Sequence, residues 1–464
     1  MIVTIDLGTS GVRVALIGRD MEIRDLIRRD IAVQFDGRGG ARVILNDVVQ
    51  AVTYSVREIL LRNEASDVSA VSFSSQGEVL FPLNPDGSPP LDFPVTMDVS
   101  GVASQHALAR TMTGEEFQQI TGEPLHAMFP IFKIHAQHQT EPSGGRIVAL
   151  DAYIRELLGG TPVVDWTMAS RSGLFDVGKL EWCEDLCSWA GVRTEMMPPV
   201  SPAASLAGAV SAAGHELTGL PVGVPLVVGS HDQACAYWGG GGVPQEIAIF
   251  SAGSSECFTQ GSFGRPSVSS DPIPTYPVRE NLWLSLVGIP AGGWGLDWLA
   301  RLGARPVASL VAEAAARPVS PATVFPFFGG APTFRNDPTA TASMTHLSLD
   351  MDVADLARAM LEASGFELYD SIERTASILG AAEQIHCSGL GASFDATAIR
   401  ADASRRTLSI ISAQAALQGA ALQAWVALGA IESLVGSYQP PVRARLTPTP
   451  DDQLAAKRAS YLSW

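Results

Sequence analysis

Four short segments carry the residue types that phosphate and hydroxyl chemistry uses. In the first, IVTIDLGTSG, Asp6 precedes Gly8, Thr9 and Ser10. A turn of small residues lets backbone N–H groups point at phosphate oxygens, and a carboxylate beside it can hold Mg²⁺ or its waters. An ordinary glycine hairpin whose Asp satisfies turn amides is the bland alternative. The second segment, Ala252–Ser255 in FSAGSSE, repeats the pattern near mid-chain. Two such turns could clamp a polyphosphate from both sides. The third is His231-Asp232 in VVGSHDQAC. A carboxylate just past a buried strand sits where α/β sheets bind ligands, and it can take a proton from a hydroxyl attacking a phosphoryl group. Asp is also a preferred helix N-cap, so cap and base both stand; His231 stands between ligand contact and packing. The fourth, SGLGAS at Ser388–Ser393, permits close approach of an adenine or ribose, or is simply a strand-to-helix turn.

The elements that must position these residues follow from periodicity. Residues 2–6 are apolar up to Asp6, LGTSG turns, and VRVALIG (Val12–Gly18) alternates, so the chain opens on a hairpin. That excludes the P-loop and dinucleotide layouts, which need a helix after the glycines, and with them a nicotinamide-dependent dehydrogenase. IAIF (247–250), the AGSS turn and ECFTQG repeat the hairpin, which points to an internal duplication. Val68–Ser74 reads as a buried strand, Phe81–Gly87 as a strand and turn, and Leu226–Gly229 as a strand ending at His231-Asp232. Val353, Leu356, Ala357, Met360 and Leu361 share one helical face behind Asp352. Ala415–Leu428 is an alanine-rich helix whose Gly419, costing about 1 kcal/mol against alanine, marks close packing. Strands alternate with helices, so the class is α/β with some antiparallel pairing.

At 464 residues the chain exceeds one core, and the glycine run of CAYWGGGGVPQE places a boundary near residues 235–245, with Gly239–Gly242 as hinge. The expected domains are 1–240 and 241–464. Hydrophobic residues at 46% and charged ones at 17% describe a globular chain. A net charge of −17 without a basic block argues against a nucleic-acid surface, though not against an anionic cofactor held by N–H groups and Mg²⁺. No apolar run approaches ~18 residues and no leader precedes Asp6, so no membrane partner is expected. Five scattered cysteines (183, 187, 235, 257, 387) fit reduced thiols and a cytoplasmic location.

Taken in order, these segments resemble the FGGY family of carbohydrate kinases, in the superfamily of sugar kinases, heat-shock proteins and actin. IDLGTSGVRVAL resembles its first phosphate motif, and FSSQGEVLFPLNPDG its substrate-contacting segment. TGEP, Lys133, DAYIRELLGG and VVDWTMASRSGLFDV resemble the stretch before the hinge. GSHDQACAYWGGG resembles the segment of the catalytic aspartate, FSAGSSE the second phosphate motif, and SGLGAS the adenosine motif. RAMLEASGFEL and QGAALQAWVALG resemble the remaining C-terminal elements. The resemblance spans nearly the whole chain.

It implies two actin-like (ribonuclease H-like) domains around a central catalytic cleft, the first with substrate and first phosphate motif, the second with the nucleotide. The implied reaction is transfer of the ATP γ-phosphoryl group, with Mg²⁺, to a hydroxyl of a small sugar, a ketose, or a polyol. Asp232 becomes the catalytic base and, with Asp6, a metal residue. Gln76, Gly77, Glu78, Asp98 and His231 join Asp232 at the substrate. Gly8, Thr9, Ser10, Gly253, Ser254, Ser255, Gly389, Gly391 and Ala392 fall to the nucleotide. A homodimer is a further expectation. Departures stand out: the family's Trp-x-Asp-x-Arg is Thr96-Met97-Asp98-Val99-Ser100, and its Gly-Glu-Arg is Gly329-Gly330-Ala331. The second phosphate motif has Gly253-Ser254 where Gly-Thr is common, and the adenosine motif opens on Ser388. These leave an alternative reading, a weak or inactive sugar- or nucleotide-binding protein on the same fold. The His-Asp pair resembles the members acting on deoxy-ketoses.

Overall fold

The computed structural model describes residues 1–463 apart from 64–66, 141–144, 268–270, 290–291, 332 and 338. The chain divides into two compact units. One comprises 1–239, 275–283 and 416–438, the other 240–274, 284–415 and 439–464. The first unit therefore draws on chain from both sides of the glycine run, the second only from the run onward.

The first unit is built on a mixed sheet. β1 (Ile2–Gly8) and β2 (Gly11–Ile17) pair antiparallel with Gly8 opposite Gly11, and β3 (Ile23–Asp30) continues the meander. The first turn is only Thr9-Ser10, narrower than the five residues LGTSG. Helix α1 (Leu45–Arg62) lays Val48, Val52, Val56 and Ile59 against Val3, Ile5, Val14 and Leu16. Burying each such side chain contributes roughly 1.5–3 kcal/mol. β4 (Ala70–Ser75) pairs parallel with β1, so β1 is central and buried on both faces, with Thr4 and Asp6 among its buried residues. Beyond β4 lie β5 (Leu206–Ala209) and β6 (Pro225–Val227), giving the order β5-β6-β4-β1-β2-β3.

The strand expected at Leu226–Gly229 is interrupted. β6 meets β4 at Leu226–Val71, the register slips by one residue, and a two-residue strand, Ser230–His231, rejoins β4 at Ser74 and Ser75. Gly229 makes the slip: a Cβ there would lie 1.7 Å from the Phe73 carbonyl oxygen. Helix α2 (Asp232–Gly239) starts directly after. Against it runs the helix Ala415–Ala427, whose Gly419 lies so close to Cys235 that a Cβ would stand 1.8 Å from the Cys235 oxygen. The close packing read from that glycine is real. Residues 76–205 form a second core of this unit, around Phe117, Phe129, Phe132, Met168, Leu174 and Phe175.

The second unit repeats the scheme. β7 (Ile247–Ala252) and β8 (Glu256–Phe263) form an antiparallel hairpin, with β9 (Leu282–Ile289) beside β8. After α3 (Val353–Leu379), capped by Asp352, β10 (Gln384–Ser388) pairs parallel with β7. Helix α4 (Phe394–Ser404), β11 (Leu408–Ile410) and β12 (Ala444–Leu446) follow. The order β12-β11-β10-β7-β8-β9 matches that of the first unit along these six strands, including an antiparallel outer strand, and Thr275–Arg279 adds a seventh beside β9. Two short sequence hairpins thus mark a duplicated architecture. No helix among the described residues is long and apolar enough to cross a membrane.

Candidate active site

In the first unit the candidate residues gather at the carboxyl ends of β1, β4 and the Ser230–His231 strand, where parallel sheets present ligand-binding loops. Pairing fixes who meets whom. Asp6 lies opposite Arg13 on β2 and beside Ser74 on β4. Its Oδ2 accepts from Arg13 Nε at 2.8 Å, and its Oδ1 from the Ser74 hydroxyl at 2.6 Å. Asp6 is buried, and both oxygens are committed. The Arg13 pKa is raised, chiefly by the Asp6 charge and, less, by that of Asp232, against burial. The Thr9 hydroxyl donates to Gln76 Oε1 at 3.1 Å, tying the first turn to the loop after β4.

Gly77 and Glu78 continue that loop. A Cβ on Gly77 would come within 2.8 Å of His231 Cδ2 and 2.9 Å of Arg171 Cγ, so glycine is what lets these two side chains converge. Arg171 donates from Nε to Glu78 Oε1 at 2.6 Å and from Nη1 to Glu123 Oε2 at 2.7 Å, with its face over Phe129. All three charged groups are buried. Burial pushes both carboxyls up, with opposite outcomes. Glu78 has Arg171, His231 and the Thr96 hydroxyl against burial, and is held down at about 2. Burial wins at Glu123, where Arg171 opposes it and the Glu78 charge adds to it, and the carboxyl is pushed up to about 8. One ionised and one protonated carboxyl thus share a guanidinium. Lys133, lowered to about 8 by burial against Asp98 and Glu78, donates to the Val95 carbonyl at 2.8 Å. Burial lowers His126 to about 4, keeping it neutral. Asp98 accepts from the Ser100 amide and hydroxyl in its own loop and from the Ala41 amide 57 residues away, so its carboxylate pins that loop to the strand starting at Ala41.

Asp232 differs from all of these. Its side chain is 29% exposed, and His231 Nε2 lies 3.1 Å from Oδ1. No helix amide bonds it, so it opens α2 without capping it. His231 is buried, its amide donating to Thr167 Oγ1 at 2.9 Å and its Nδ1 lying 3.1 Å from the Tyr276 hydroxyl.

In the second unit the two glycine segments meet. Gly391 N–H donates to the Ala252 carbonyl at 2.9 Å. Gly389, at φ +97°, passes so near that a Cβ would be 2.3 Å from that oxygen. Ser254 and Ser255 at the β7–β8 turn are exposed, while Gly389, Gly391 and Ala392 are half-buried. A buried ion pair ties the motifs together. Arg400 on α4 donates to Glu256, directly after the turn, to Ser364 Oγ at 2.8 Å, and to the Gly391 carbonyl at 2.8 Å.

Family profiles decide what this scaffold is. The N-terminal domain profile of the FGGY family of carbohydrate kinases matches residues 1–239, and its C-terminal domain profile matches 248–428. The chain belongs to the FGGY family. It is a carbohydrate kinase, and kinases of this family use ATP. The FGGY relatives include an autoinducer-2 kinase of Escherichia coli K12, 25% identical over 97% of this chain and 91% of the relative. A gluconokinase of Bacillus licheniformis is 23% identical over 79% of this chain and 75% of the relative. Among solved FGGY folds, a ligand-bound xylulose kinase from Lactobacillus acidophilus superposes with a TM-score of 0.88 at 19% identity, over 100% of this chain and 96% of the other. A Plasmodium falciparum glycerol kinase with ADP reaches 0.84 at 18% identity, over 100% and 96%.

Sequence reasoning missed several residues at the site. Arg13 was deducible: a two-residue turn with Gly8 opposite Gly11 puts residues 6 and 13 opposite each other. Arg171, Glu123, Tyr276, Glu256 and Arg400 carry no spacing signal, because their partners come from distant segments.

Proposed function

We propose that the first unit binds a neutral ketose or polyol beside Gln76, Gly77, Glu78 and His231, and that Asp232 is the base that activates its hydroxyl. The observation that carries this is the contrast among carboxylates. Asp6, Glu78, Asp98 and Glu123 are buried and bonded, whereas Asp232 keeps Oδ2 without a hydrogen-bond partner among the described residues and reaches solvent. A base needs an open oxygen. In the step, the hydroxyl oxygen bonds to the γ-phosphorus, the bond from that phosphorus to the β–γ bridging oxygen breaks, ADP leaves, and the hydroxyl proton passes to Asp232 Oδ2. The Arg13 charge, held by Asp6, also acts on Asp232. The cations near the pocket, Arg13, Arg171 and Lys133, are engaged by Asp6, by Glu78 and Glu123, and by the Val95 carbonyl. That favours an uncharged sugar over a sugar acid.

The nucleotide is assigned to Gly8, Thr9 and Ser10 in the first unit and to Gly253, Ser254, Ser255, Gly389, Gly391 and Ala392 in the second. Mg²⁺ is proposed with the ATP, and the fit is partial. Both Asp6 oxygens already accept, from Arg13 and Ser74, and no cluster of three or more ligating side chains converges among the described residues. Asp232 Oδ2 is open, so phosphate and water oxygens must make up most of the coordination, as Mg²⁺ sites beside polyphosphates allow. When bound, the ion offsets charge on the phosphates. Asp6 then acts by orienting Arg13. The test is Asp232→Asn, expected to cut turnover about 10²–10⁴-fold with ATP binding kept. Near wild-type turnover in a coupled ADP-release assay over a sugar panel would remove Asp232 from the mechanism.

A further inference from the structure

The Asp232 carboxylate ends a hydrogen-bond chain that runs back through His231 to Tyr276. An ionised carboxylate only accepts, so His231 Nε2, 3.1 Å from Oδ1, must carry the proton and donate it. With the ring neutral, as the proposal below requires, Nδ1 is then a lone pair and accepts. The hydroxyl 3.1 Å away belongs to Tyr276, which is fully buried, and it is the donor. The ring has little freedom to do otherwise. Gly77 stands against its Nε2–Cδ2 edge, Tyr276 lies edge-on with centroids 5.9 Å apart, and the His231 amide is anchored on Thr167.

We propose that Tyr276 is a positioning residue for phosphoryl transfer: through His231 it fixes the rotamer of Asp232, so that Oδ1 is tied back and Oδ2 is presented to the sugar hydroxyl. The inference rests on Asp232 being the base. Tyr276 lies outside every motif that marks the family in this sequence, and it enters the first unit on a short return segment, residues 275–283. Its phenol touches no reacting atom. It selects one tautomer of the histidine, because a wrong tautomer would set a lone pair against the carboxylate and let Asp232 rotate away. Orientation errors of this kind lower the rate of the chemical step more than they lower affinity.

The experiment is a double-mutant cycle on kcat with Tyr276→Phe and His231→Ala, read beside KM for ATP and the melting temperature. One lost hydrogen bond corresponds to roughly 5–10-fold. Tyr276→Phe should therefore lower kcat about 5–10-fold with KM for ATP unchanged, and should change kcat less than about twofold once His231 is already alanine. His231→Gln, which keeps an N–H for Asp232, should retain more kcat than His231→Ala. ¹⁵N NMR of the wild-type histidines gives a readout that needs no variant: His231 should show a protonated Nε2 and a bare Nδ1. Additive losses in the cycle, an unchanged kcat in Tyr276→Phe, or a protonated Nδ1 in the wild type would each overturn the proposal. An active Asp232→Asn would instead sink the base assignment, whatever Tyr276 does.

Discussion

Replacing Glu123 by Gln should make the protein less sensitive to alkaline pH. In the unfolded chain this carboxyl ionises near 4.5; in the fold burial lifts it to about 8. Between those values the native state holds a proton that the unfolded chain has released. Raising the pH therefore favours unfolding, by about 1.4 kcal/mol per unit. From about pH 5.5 to about pH 8 the accumulated loss is about 3 kcal/mol. Glu78 does not mask it. Its pKa is depressed to about 2, so its stabilising contribution is complete above about 4.5 and is lost only on acidification towards 2. Glutamine has no proton to give up, and its amide oxygen can accept the bond from Arg171 Nη1 that Oε2 accepts now. Urea unfolding of both proteins across this range should show the wild type losing about 3 kcal/mol relative to Glu123→Gln as pH rises. Parallel pH curves would refute the protonated state of Glu123, and with it the division of charge around Arg171.

Two further substitutions test the two units separately. Gly77→Ala places a methyl 2.8–2.9 Å from His231 and Arg171; overpacking of about 1–3 kcal/mol should raise KM for the sugar at least about fivefold while KM for ATP stays put, checked by steady-state kinetics in both substrates. Arg400→Met strands the Glu256 carboxylate in a buried site; a loss of about 3–5 kcal/mol in the second unit and weaker binding of an ATP analogue should appear by calorimetry, and unchanged binding would show that the Glu256–Arg400 pair does not shape the nucleotide motifs.

The backbone scheme was legible because it depends on local pattern. The run up to Asp6, the small turn and the alternation after it define β1 and β2, and the same signs define β7 and β8. Gly419 was also readable as a close approach, although not what approaches it, whereas Gly77 entered only through the family resemblance and its crowding against His231 and Arg171 was not foreseen. The electrostatics were not legible. Asp6 looks like a metal carboxylate in sequence, yet pairing across β1–β2 and β1–β4 hands its oxygens to Arg13 and Ser74. Asp98 sits where the family pattern places a substrate contact, and its carboxylate accepts from Ser100 in its own loop and from Ala41 on a distant strand. The Arg171 cluster joins residues 78, 123 and 171 through tertiary packing alone, which no short window of sequence can report.

The two sheets share one strand order, but they spend the space after their fourth strand differently. In the second unit residues 389–407 pass from β10 to β11 through little more than α4. In the first unit residues 76–205 are inserted at the equivalent place, before β5 and β6, and they bring their own hydrophobic core. Glu78, Thr96, Glu123, Lys133 and Arg171 all lie in that insertion, whereas Asp6, Arg13 and Asp232 lie outside it. On the proposed assignment, Gln76, Gly77 and Glu78 at the sugar come from the insertion, whereas His231 and the proposed base Asp232 come from the sheet frame, so remodelling the insertion would change sugar contacts without touching the Asp232 carboxylate.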